Sequence, residues 1–160
     1  MDEFKDILLN NDFTIAYYSK NINKDYATLK CKIKKEYPND EEIKDFINSI
    51  NDFYANKINT NINYKIKLDT RQIGFIGFTN VYECVKCFRN ENTVNINETI
   101  LIDTTIFISN SKLKYLLESI FTFLKPSRPV IFKCSDDIST LNETEENDIS
   151  SSIFNLFSLL

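Results

Sequence analysis

Residues 99–109 read Thr-Ile-Leu-Ile-Asp-Thr-Thr-Ile-Phe-Ile-Ser, a β-branched run broken by a single charge, Asp103. So continuous an apolar run predicts a strand buried on both faces of a covered sheet. The segments on either side say what does the covering. Downstream, Leu113, Leu116, Leu117, Ile120, Phe121 and Leu124 recur at helical spacing until Pro126 stops them, and Pro129–Lys133 supplies a further strand. Upstream, Tyr64, Ile66 and Leu68 alternate with Lys65, Lys67 and Asp69, the period-2 pattern of a strand with one wet face. The chain's two glycines, Gly74 and Gly77, bracket the loop that follows. Thr79 can then cap a helix bearing Val81, Tyr82, Val85 and Phe88, and a polar insert, Arg89–Glu98, ends it.

The first third of the chain repeats this logic. Phe13–Ser19 and Ala27–Lys34 read as two strands joined by a polar turn, with Leu29, Cys31 and Ile33 set against Lys30, Lys32 and Lys34. Beyond Pro38, Asn39 and Glu42 form a capping-box pair, and the apolar stripe from Ile43 to Ile58 predicts a helix over Asp40–Asn59. At the other end, an acidic, Ser/Thr-rich stretch, residues 135–148, leads into Ile149–Leu160, whose apolar spacing predicts a C-terminal helix. The order β-β-α-β-α-β-α-β-α gives an α/β fold: a mixed sheet of about five strands, a β-hairpin followed by βαβ crossovers, with helices packed against it. Residues 1–160 are expected to form one domain.

That order and the residues around Leu68 resemble the STAS domain of anti-sigma-factor antagonists and sulfate-transporter tails. Leu68-Asp69 matches the family's strand end, and Ile73, Phe75 and Ile76 match the apolar approach to its helix. Gly77, Phe78, Thr79, Asn80 and Val81 stand where the family has Asp, Ser, Ser/Thr, Gly and Leu, so Thr79 alone inherits the phosphoacceptor position. The stretches Leu68–Phe88 and Ile108–Ile131 are similar to STAS-like proteins of large cytoplasmic DNA viruses. Residues Leu116–Ile131, with Lys125-Pro126, more faintly resemble a CRAL-TRIO lipid-binding domain.

Composition narrows the functional classes. The net charge is −4, with 19 basic residues interspersed among 23 acids, so no phosphate-binding stripe is legible and no nucleic-acid partner is expected. No apolar run reaches the roughly 20 residues of a membrane span, and Asp2, Glu3 and Asp6 give the N-terminus the wrong charge for a signal peptide. A cytoplasmic location follows, in host cytoplasm and virion if the gene is viral. The sequons at Asn97 and Asn142 are then expected to be unmodified surface-loop residues. Asn, Ile and Lys dominate, as in AT-rich genomes.

Several residues invite chemistry. Cys84 and Cys87 stand one helical turn apart and can share a zinc ion if Cys31 and Cys134 complete the set, since the chain has no histidine. The alternative is four structural thiols. Lys125 and Arg128 flank Pro126 and precede Pro129, where they can hold an anion or complement a helix C-terminus. Asp69, Asp103, Asp136 and Asp137 fall near strand ends, where open α/β sheets place ligands. No nucleophile elbow, phosphate loop or base can be assembled around them, so catalysis and cofactors are not expected. Ile153, Phe154, Phe157 and Leu160, together with Lys125 and Arg128, are the candidate partner contacts. The reading is a non-enzymatic binding module working with other protein subunits in a large assembly, such as a minor capsid or other virion component. A Thr79 phospho-switch and a CRAL-TRIO-like carrier of lipid or another small ligand are the alternatives.

Overall fold

The computed structural model describes residues 4–74, 76–89, 95–97, 100–134 and 152–155. Its centre is a mixed sheet of seven strands: β1 (Phe4–Asn10), β2 (Thr14–Lys20), β3 (Ala27–Ile33), β4 (Tyr64–Asp69), β5 (Leu101–Ile108), β6 (Val130–Cys134) and β7 (Ser152–Asn155). They lie side by side in chain order. The β1–β2, β2–β3 and β6–β7 pairs are antiparallel, and the three pairs from β3 to β6 are parallel.

Each parallel step carries a helix: α1 (Asp40–Asp52) after β3, α2 (Phe78–Cys87) after β4 and α3 (Ser111–Phe123) after β5; residues 95–97 and 100, between α2 and β5, are helical as well. Because the three crossovers advance in one direction and share one hand, their helices fall on one face of the sheet. Ring contacts confirm the layer: Phe46 of α1 lies 6.3 Å from Phe13 and 6.3 Å from Phe88, and Phe121 of α3 lies 6.5 Å from Phe132 of β6. Leu29, Cys31, Tyr64, Ile66, Ile106, Ile108, Val130 and Phe132 supply the sheet side of this core and are all buried.

The α/β class is as predicted, and the sheet exceeds the predicted five strands at both ends. β1 pairs with β2 through a bulge between Ile7 and Leu9, and Phe4 packs 5.3 Å from Tyr18. Its residues are mostly exposed, so it lacks the alternation that marks the other strands. The predicted C-terminal helix, 149–160, is corrected where it is described: residues 152–155 are strand β7, with Lys133 opposite Ile153 and Phe132 opposite Phe154. The unpaired backbone edge of β6 gives an extended segment partners that a helix would not use. Phe157, Leu160 and the acidic stretch 135–148 lie outside the described residues.

Helix boundaries move by small amounts. α1 carries the predicted capping box, Asn39 accepting from Glu42 N–H at 2.8 Å while Glu42 accepts from Asn39 N–H at 2.9 Å. It continues through a π-helical turn, Phe53–Lys57, and stops at the extended residue Ile58. α2 begins one residue before Thr79, so Gly77 and not Thr79 occupies the cap position. Burial on both faces holds only for the second half of β5, Thr105–Ile108, since Ile102 is 38% exposed.

Candidate functional site

Three places gather the polar and reactive groups. The first is the face of the sheet opposite the helices. Strand register sets Tyr17, Lys30, Lys67, Thr105 and Ile131 in one row across it, and Ile15, Lys32, Asp69, Phe107 and Lys133 in the next. Lys65 stands beside Thr28, and Lys5 beside Ser19. Six lysines thus share this face with two aspartates, Asp69 and Asp103, in a chain whose overall charge is −4. Most lie half-buried, their stems along the sheet and their ammonium groups toward its surface. Among the described residues no helix packs here.

This patch corrects the expectation of evenly dispersed charge. The alternation of lysine within β3 and β4 was legible, but only register places Lys30 directly opposite Lys67. The aromatic rings of the face are roofed by cations: Lys5 Nζ lies 4.6 Å over Tyr17, Lys65 Nζ 4.7 Å over Tyr26, and the Arg71 guanidinium 5.5 Å over Phe107. Arg71 is the residue that sequence reading missed. Its Nε donates to Asp69 Oδ1 at 2.9 Å and a terminal nitrogen donates to Oδ2 at 3.2 Å, with both side chains fully buried. Asp69 is therefore a clamped structural acid. Asp103 faces Lys65 at 3.9 Å. Asp136 and Asp137 lie outside the described residues.

The second place is the carboxyl end of the parallel strands, where the N-termini of the helices meet. Gly74 N–H donates to Glu36 C=O at 2.9 Å, and Asn110, which caps α3, donates to Gly74 C=O at 2.7 Å. A methyl group at Gly74 would meet the Glu36 side chain at 2.6 Å, so that exposed side chain would have to give way. Thr79 is exposed in the first turn of α2, which has no side-chain cap. Phe78 is also exposed and stacks on Tyr82 with centroids 6.1 Å apart.

The third is a cavity of about 130 Å³ between the sheet and the helices, lined mainly by apolar side chains such as Phe13, Ile66, Val85, Ile106 and Leu117. Asp69 and Thr70 border it at the carboxyl end of the strands; Arg89, Asn97, Ser127 and Arg128 border the opposite end. Asn97 anchors that end. It is 3% exposed, accepts from Tyr64 Oη at 2.5 Å and donates to Phe88 C=O at 3.1 Å. Tyr64 in turn meets Tyr54 Oη at 3.1 Å. Burial holds both phenols well above the ordinary tyrosine range. The expectation of a surface-loop Asn97 is thereby corrected: its amide is spent on buried hydrogen bonds that an N-linked sugar would break. Arg128 Nε donates to Asn97 C=O at 3.4 Å, so Arg128 belongs to this cluster.

The cysteines are free thiols. Cys31 and Cys87 are buried in the core, and Cys87 Sγ donates to Cys84 C=O at 2.9 Å. Burial pushes Cys31 and Cys84 up to about 12 and Cys87 well above its usual value. These thiols are neutral near pH 7, which does not suit a redox nucleophile. Among the described residues no three metal-ligating side chains converge. Among the described residues no helix is long and apolar enough to cross a membrane. Comparison with protein families, curated proteins and solved structures finds no match to this chain.

Proposed function

We propose that the chain is a non-enzymatic binding module whose lysine-rich sheet face docks an acidic segment of a protein partner. The lysine array carries the reading. Register gathers Lys30, Lys32, Lys65, Lys67 and Lys133 on one face, and a positive patch of this kind is complementary to an acidic segment. Ile15 and Ile131 share the face, and an interface core mixes such apolar contacts with charge. Nucleic acid fits this surface less well. Single-stranded binding sheets offer open aromatic platforms to the bases, whereas Tyr17 and Phe107 are each covered by a cation.

The setting we propose is a multi-subunit assembly, a virion in particular, on the strength of the AT-rich residue usage and the STAS-like element order. The test is fluorescence anisotropy with labelled poly-L-glutamate and with a single-stranded oligonucleotide of equal length. Salt-dependent binding to the polypeptide that Lys30→Glu or Lys67→Glu weakens by tenfold or more is expected. Tighter binding of the oligonucleotide would replace this reading with a nucleic-acid one, and no binding of either would remove it.

A further inference from the structure

We propose that the cavity between sheet and helices is a binding site for a small uncharged molecule, a benzene-sized apolar ring carrying one hydrogen-bond-accepting oxygen. It lies on the helix side of the sheet and does not depend on the lysine-face reading. Native interiors leave few voids larger than a water molecule, so a cavity of about 130 Å³ in a natural core calls for an occupant. Hydrogen bonds at both ends keep its walls from closing. Asn97 donates to the C=O of Phe88, the residue that ends α2, and Asn110, the cap of α3, donates to Gly74 C=O in the loop that leads into α2.

Size and wall chemistry set the body of the ligand. The sheet contributes Ile66, Ile106 and Val130, and the helices contribute Val85, Leu117 and Phe121. An engineered cavity of roughly 150 Å³ with walls of this kind stays dry and takes up benzene. Charge is excluded, because the ionic side chains on the lining are already engaged within the protein: Asp69 by Arg71, Arg128 through its Nε by the Asn97 carbonyl, and Arg89 by another partner. An ion entering the cavity would find no counter-ion to offset its desolvation. The Ser127 hydroxyl sets the single polar contact. It lies on the lining, is shut off from solvent and has no hydrogen-bond partner among the described residues, whereas Thr70 and Asn97 are already bonded. A buried hydroxyl left without a partner is unfavourable, and an oxygen arriving with the ligand would accept its O–H.

Cyclohexanone and methylenecyclohexane have nearly the same shape and differ in whether the exocyclic atom accepts a hydrogen bond. Methyl-selective NMR titration of the intact protein with each tests the assignment. Both are expected to bind saturably, with shifts concentrated on Val85, Ile106 and Leu117. Ser127→Ala should weaken the ketone by about threefold to tenfold and leave the alkene within about twofold. Val85→Phe, which fills the space, should exclude both probes; should that variant fail to fold, the Ser127→Ala comparison decides alone. Failure of both probes to saturate, or shifts centred outside the cavity, would overturn the proposal. An equal effect of Ser127→Ala on ketone and alkene would overturn it as well.

Discussion

Asp69 shows how a residue with a catalytic look is spent on structure. Its carboxylate takes three hydrogen bonds from Arg71, one of them from the backbone N–H at 3.2 Å, and both side chains are out of solvent. Removing one partner of a buried pair leaves the other charge without its counter-ion, which costs about 3–5 kcal/mol. Asp69→Asn should lose that much in urea denaturation, whereas Asp69→Leu combined with Arg71→Met should recover most of it. A loss no larger for the single variant than for the double would show that the pair is not the source. The core thiols make a separate prediction about pH. Cys31 and Cys84 ionise near 9 when unfolded and at about 12 when folded, because burial favours the neutral form. A raised acid pKa stabilises the fold fully below pH 9, and that contribution drains away as pH rises from 9 toward 12, at up to about 1.4 kcal/mol per pH unit for each thiol. Tyr18, also raised by burial to about 12, adds to the decline above its ordinary value of 10. Denaturant midpoints should be level between pH 7 and 8.5 and fall above 9, and Cys31→Ala should make the fall shallower.

At the scale of the element, what the sequence discloses depends on how strongly an element commits to one period. β2 and β3 alternate strictly between buried and half-buried residues, and the stripes of α1, α2 and α3 each face one core. These were legible. β1 hides because its burial follows no period, and β7 was misread because the apolar residues of 149–160 suit a 3.6-residue period as well as a 2-residue one. The capping box of α1 is the local signal that translated most directly, so Asn39→Ala should cost about 0.5–2 kcal/mol by removing the side-chain acceptor at Glu42 N–H. Equilibrium unfolding measures this, and Asn39→Asp should be nearly neutral. The strand assignment also changes what truncation should do. A terminal helix covering the sheet would be indispensable, but an edge strand of four residues contributes four cross-strand pairs, each worth about 0.2–1 kcal/mol. Fragment 1–150 should therefore melt cooperatively at a reduced temperature. An unfolded fragment by circular dichroism would show that the last ten residues carry more than an edge.

At the scale of the whole molecule, consecutive strand order explains both the site and its concealment in the sequence. Had the crossovers reversed direction, helices would have covered both faces and the lysines of β3 and β4 would have been untenable. One-directional winding puts the core on one side and sets the wet residues of successive strands in register on the other. The sequence shows each strand's alternation, but the register that makes separate lysines neighbours belongs to the assembled sheet. The same geometry makes the face a test of the docking reading. Lys67→Glu reverses one charge in the middle of the array, so poly-L-glutamate binding should fall at least tenfold at low salt, and the difference from the native chain should shrink near 0.5 M salt, where the Debye length is only about 4 Å. Its urea midpoint should stay close to that of the native chain, because the side chain stands on the face away from the core. If binding were unchanged while the midpoint fell, Lys67 would be a structural cation serving the sheet itself, and the case for a docking face would lose its main support.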